Sequence, residues 1–116
     1  MVVTRTYDLR IPQGVTWECV IPVLKADGTL LTNLTGYTAR AQVRDHFGDP
    51  ASLHEWSTAA GNLELADGFV TLGVAPSTSS SWPWRFGRWD LEVTDPDGAV
   101  TRIMQGAVFV NPEVTR

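Results

Sequence analysis

Asp95-Pro96-Asp97-Gly98 constrains this chain more than any other stretch, because it spells out a turn and fixes the register of the strands on either side. Asp at the first position, Pro at the second and Gly at the fourth is the residue set of a type I turn followed by a glycine in the left-handed region. With Gly98 as the extra residue, Leu91 falls opposite Ile103 and Val93 opposite Thr101 on one face, and Glu92 falls opposite Arg102 on the other. A blunt four-residue loop sets Leu91 against Arg102 instead. A one-residue slip moves every side chain to the other face, so the register that pairs apolar with apolar and acid with base is the expected one.

The same period-two pattern recurs along the chain. Tyr7 to Ile11 is a first short strand, ended by Pro12-Gln13-Gly14. Val15, Trp17, Cys19, Ile21 and Val23 share one face of a second, and Pro22 marks an edge or a bulge near its end. Tyr37, Ala39, Ala41 and Val43 alternate with Thr38, Arg40, Gln42 and Arg44, which gives an inward and a watered face. Asp27-Gly28 reads as another Asp-Gly turn, Leu53 to Ser57 as a short strand, and Leu63 to Val74 as a hairpin about Asp67-Gly68. Ala75 to Trp84 lacks strand character and reads as a loop with one helical turn capped by Ser77 or Thr78. Gly106 allows a break or bulge before Ala107 to Val110. Short strands with turns every eight to twelve residues and no full amphipathic helix predict an all-β protein. It is expected to be a single immunoglobulin-like antiparallel β-sandwich of about seven to nine strands spanning residues 1–116. Trp17, Cys19, Ile21, Ala39, Ala41, Val43, Leu91 and Val93 are its expected core, with Trp17 and Trp89 the largest members.

At 116 residues the chain matches one ordinary domain. A net charge of -4 leaves no electrostatic footprint for nucleic acid or an anionic membrane. No apolar run approaches the roughly 18 residues of a membrane span. Met1 to Thr6 carries neither the apolar core nor the cleavage site of a signal peptide, so synthesis in the cytosol is expected. The single cysteine, Cys19, cannot close a disulfide within the chain.

Catalytic and metal-binding chemistry finds no motif here. His46 and His54 have no Cys, Asp or Glu at a metal-ligand spacing, and the aspartates sit in turns that explain them. Neither a Gly-x-Ser-x-Gly elbow nor a phosphate-cradling glycine loop occurs. No enzyme activity, cofactor or metal is expected, and a small-molecule ligand is not. The feature that asks for an explanation is the aromatic group Trp82, Trp84, Phe86 and Trp89, with Trp56 nearby. Either these rings cap one end of the sandwich, or Trp82 and Trp84 stand on an exposed loop as anchors for a protein partner or a stacking platform for a sugar. Arg40 and Arg44 on their outward strand face, and Val2 and Val3 in a terminal segment free to add to a neighbouring sheet edge, complete the candidate interface residues.

Several stretches together also resemble a known family. Gln13-Gly14-Val15-Thr16-Trp17, Leu34-Thr35-Gly36-Tyr37-Thr38-Ala39-Arg40, Trp89 through Gly98, and Asn111-Pro112-Glu113-Val114-Thr115-Arg116 resemble, in pattern and placement, the β-sandwich domain of LtfC-like proteins of tailed bacteriophages. Trp89 stands where that pattern has a tyrosine. The resemblance implies a small virion structural protein of the tail tip, collar or fibre attachment, without catalytic residues, whose partners are other phage structural proteins and copies of itself. The alternatives are a carbohydrate- or receptor-binding module using exposed tryptophans, and a decoration protein of the phage head.

Overall fold

The Asp95–Gly98 turn closes as its residues dictate. In the computed structural model, which describes residues 5–46 and 48–113, the Asp95 N–H donates to the Ala99 carbonyl (2.9 Å) and the Gly98 N–H to the Asp95 carbonyl (3.0 Å). Gly98 takes a φ of 90°, where a Cβ is disfavoured. Asp95 Oδ1 accepts from the N–H groups of Asp97 and Ala99, each at 2.9 Å. The turn joins β8 (Phe86–Thr94) to β9 (Val100–Asn111), with Val93 opposite Thr101 and Glu92 opposite Arg102. Past that point the expected register fails. A β-bulge between Leu91 and Glu92 sets Leu91 against Met104, leaving Ile103 as the extra residue. Ile103 and Met104 are both buried, because a bulge can turn two successive side chains toward the same face.

β4 (Thr38–Arg44) lies beside β8 and follows the predicted alternation, with Ala39, Ala41 and Val43 buried. Its alanines have a packing reason: Ala41 sits between Leu91 of β8 and Trp56 of β5 (His54–Ser57), so a small residue leaves room for two large ones. The second sheet is β3 (Trp17–Pro22), β7 (Phe69–Val74) and β6 (Leu63–Ala66), in that order, so β3 and its Pro22 are at an edge. Asp67 and Gly68 at φ 54° and 91° form the two-residue turn between β6 and β7.

Two segments at the N-terminal end correct the expectation of purely antiparallel pairing. β1 (Arg5–Thr6) and β2 (Leu9–Pro12) both run parallel to β9, with Arg5 opposite Met104 and Leu9 opposite Val108. Tyr7 and Asp8, read from sequence as strand, form the break between them. The six-stranded sheet thus contains β1 and β2 on β9, then β8, β4 and β5. With β3, β7 and β6 opposing it, this is the strand grouping of an immunoglobulin-like sandwich.

Trp89 (1% exposed) is in the core as expected, but the other fully buried tryptophan is Trp56 (0%), whereas Trp17 and Cys19 are half-buried and Val15 is exposed. Along β3 the inward parity is fully buried only from Ile21 onward. Both buried indoles satisfy their N–H: Trp89 Nε1 donates to the Tyr7 carbonyl (2.8 Å), and Trp56 Nε1 crosses between the sheets to the Gly73 carbonyl (2.9 Å). The helical turn α1 (Pro76–Ser80) exists, but Ala75 is its N-cap and makes no side-chain bond. Neither Ser77 nor Thr78 caps it, because Pro76 at the first turn already presets the backbone.

Candidate functional site

The tryptophan question resolves into a packed end cap. Trp82 is 7% exposed and Trp84 half-buried, and their rings lie 4.7 Å apart. The His54 imidazole meets Trp82 edge-on at 5.1 Å and Trp56 at 4.6 Å, and Trp56 lies 6.4 Å from Trp17. Trp82 is therefore core and has no free face for a partner or a sugar, which corrects the anchor reading for that residue, while Trp84 keeps part of its ring exposed. The loop is held down from below. Gln13, itself buried, donates through Nε2 to the carbonyls of Ser79 (3.0 Å) and Trp82 (3.3 Å) and accepts through Oε1 from the Glu113 N–H (3.2 Å). Ser79 Oγ accepts from the Gly14 N–H at 2.8 Å. Gln13 thus ties the first turn of the chain, the loop before β8 and the end of β9 together.

His54 belongs to this cap, and its Nε2 is buried with no hydrogen-bond partner. Burial pushes its pKa below the ordinary value and outweighs the opposing pull of Glu55. A base whose folded-state pKa is depressed binds its proton more readily when unfolded, so stability is complete above about pH 6.5 and is lost as the pH falls from there toward the depressed value. Urea titrations at successive pH values should show that decline, and His54→Phe should flatten it. An unchanged slope in the variant would assign the acid sensitivity to other groups.

Arg40 and Arg44 lie on the outer face of β4 as expected, and both are engaged within the chain. Arg40 Nε is 3.0 Å from Glu55 Oε2, and Gln42 also donates to that carboxylate. These bonds hold the Glu55 carboxyl below its ordinary pKa, Gln42 contributing most. Arg44 donates to the Asp49 carbonyl and to Gln42 Oε1, each at 2.7 Å. Such exposed pairs contribute little to stability. Val2 and Val3 lie outside the described residues. The loop after β4 corrects one further expectation: Asp45, His46 and Asp49 bring ligand-type atoms within 4.8 Å of one another, because the turn at His46 folds Asp49 back.

Sequence reading missed a different constellation on the outer face of the larger sheet. Phe86 of β8 and Phe109 of β9 are cross-strand partners with ring centroids 5.3 Å apart. The Arg10 guanidinium lies 4.6 Å from the Phe109 centroid, and that of Arg88 5.1 Å from the Phe86 centroid. The result is a row, Arg10, Phe109, Phe86, Arg88, in which both arginines are exposed and Phe86 is 40% exposed. Among the described residues neither Arg10 nor Arg88 has a carboxylate within ion-pair distance. Arg44 moreover stands directly opposite Arg88, an unfavourable placement of like charges. Aromatic surface flanked by arginines that lack acidic partners suits a protein segment carrying carboxylates and apolar side chains. The bulge hides this row from sequence: without it, Phe86 faces Val108.

No protein-family model matches the chain, and no curated protein matches it. Among solved structures, one that it is similar to is Drosophila OTK, extracellular domains 3-5, at 13% identity and a TM-score of 0.39. The match covers 94% of this chain and 35% of that one.

Proposed function

We propose that this chain is a structural domain of a tailed-bacteriophage virion, at the tail tip, collar or fibre attachment, and that it works by protein-protein contact rather than catalysis. The observation that carries the contact reading is the Arg10-Phe109-Phe86-Arg88 row on the outer face, whose arginines and aromatic rings are residue types enriched at interfaces. The phage assignment is supported by the resemblance in the Gln13–Trp17, Leu34–Arg40, Trp89–Gly98 and Asn111–Arg116 stretches. Two of those stretches carry structural work in the fold: Gln13 latches the end cap, and Asp95 organises the β8–β9 turn.

The test is to purify particles from cells producing a tagged copy of the chain, identify the chain by mass spectrometry and locate it by electron-microscopic reconstruction. Ordered density at the tail tip, collar or fibre base is the expected result. Density on the capsid surface would select the head-decoration alternative, and absence from purified particles would overturn the virion reading. Changing Arg10 and Phe86 together to Ala should lower incorporation with little change in melting temperature, because both side chains are on the outside of the sheet.

A further inference from the structure

The β8–β9 hairpin carries two patches of opposite chemistry at its two ends. At its open end stands the row of Arg10, Phe109, Phe86 and Arg88. At its closed end the tip presents Pro96, Asp97 and Val100, all exposed, with Val100 at 59%. The acidic character of that end extends beyond the tip. Leu30 covers Gly68, Pro96 reaches Gly36, and Lys25, Leu31, Tyr37 and Asp95 line one pocket, so the Asp27-Gly28, Asp67-Gly68 and Asp97-Gly98 turns gather at one end of the sandwich. Lys25 is near, but the tip itself carries Asp95 and Asp97 without a basic residue beside them in sequence.

We infer that copies of this chain associate head to tail, the Pro96-Asp97 tip and Val100 of one copy seating on the Arg10-Phe109-Phe86-Arg88 row of the next. The proposal rests on the contact reading above and names the occupant of that site. Charge complementarity carries it: the exposed Asp97 carboxylate of the tip meets two guanidiniums that have no carboxylate within ion-pair distance among the described residues, while Pro96 and Val100 meet the two phenyl rings. The occupant is already at hand in every copy. Because the two patches differ and sit at opposite ends of one hairpin, the contact is heterologous, and repetition gives a ring if the rotation closes and a filament if it does not. Each contact is small and therefore weak alone. In a particle that arrays many copies, effective concentration supplies the rest.

Sedimentation velocity on the purified chain tests this. The wild type should form oligomers as its concentration rises toward about 1 mM, where a weak interface becomes half occupied. Raising the salt from about 0.05 M to about 0.5 M should weaken them, since the Debye length falls severalfold. A row variant, Phe86→Ser with Arg88→Ser, and a tip variant, Asp97→Ser with Val100→Ser, should each lose self-association by at least about tenfold. Mixed in equal amounts, the two should form one-to-one dimers and nothing larger, because one supplies an intact tip and the other an intact row. Circular dichroism melts confirm that each variant is folded, and Arg10→Ser replaces the row pair if that variant is not. A wild type that stays monomeric, or a mixture that fails to dimerise while the wild type associates, overturns the head-to-tail contact. The virion reading is judged separately: a chain found in particles but monomeric in solution and in variant mixtures sinks this inference and leaves that reading intact.

Discussion

Gly106→Ala is expected to destabilise the protein by about 2–4 kcal/mol and to release the first strands from the sheet. A Cβ at this position lies 2.2 Å from the Tyr7 carbonyl oxygen and 2.8 Å from its carbon, both backbone atoms that cannot swing aside. They are pinned from three directions. Tyr7 N–H donates to the Gln105 carbonyl (2.8 Å), the Tyr7 carbonyl accepts from Trp89 Nε1 (2.8 Å), and Asp8 Oδ1 accepts from the Ala107 N–H (3.0 Å). Pushing the chain off Gly106 leaves the Trp89 indole N–H in the core without an acceptor, itself a loss of about 1–3 kcal/mol. Denaturant titration measures the total, and hydrogen exchange should show β9 amides opening while those of β4 stay protected. A loss below about 0.5 kcal/mol, the range of an ordinary surface change, would mean that the crossing at Tyr7 is looser than this geometry states.

Trp56→Ala should cost about 3–5 kcal/mol, enough to unfold a marginal domain at physiological temperature. The indole is fully buried, packs edge-on to His54, and joins the two sheets through its bond to the Gly73 carbonyl. Trp56→Phe separates the contributions, since it keeps most of the ring packing but surrenders the hydrogen bond. Its cost should fall to about 1–3 kcal/mol, set by the carbonyl left unpaired. Equal losses from the two variants would assign the stability to the hydrogen bond and not to the ring. A negligible loss from Trp56→Ala would remove this residue from the centre of the core.

Turns were the most legible part of the fold, because the information is local. Asp95 needs only its next four residues to make its bonds, and the register near the turn followed from them. The bulge three pairs further on buries both Ile103 and Met104, a placement that the alternating pattern within β8 and β9 does not encode. Parallel pairing of β1 and β2 with β9 was illegible for a similar reason: the partners are nearly a chain length apart, and alternation along a strand carries no mark of its direction. Trp82 and Trp84 lie in a serine-rich loop, where composition suggests exposure. The buried amide of Gln13, from the other end of the sequence, pulls that loop onto the core. Arg40 and Arg44 were placed on the correct face, but partners such as Glu55 and Asp49, supplied by neighbouring segments, decided their availability. Of the docking row, only Phe86 drew notice, and its partner became apparent only with the register.

The parallel alignment of β2 and β9 also determines how the domain bears a load. Tension applied across Arg5 and Asn111 pulls β2 back along its own axis and β9 forward along its own. The two strands are thereby loaded in shear, and the hydrogen bonds between them resist together. Strands peeled apart from one end would yield one bond at a time. Tension carried between these two ends thus passes through the seam where Tyr7 crosses close over Gly106.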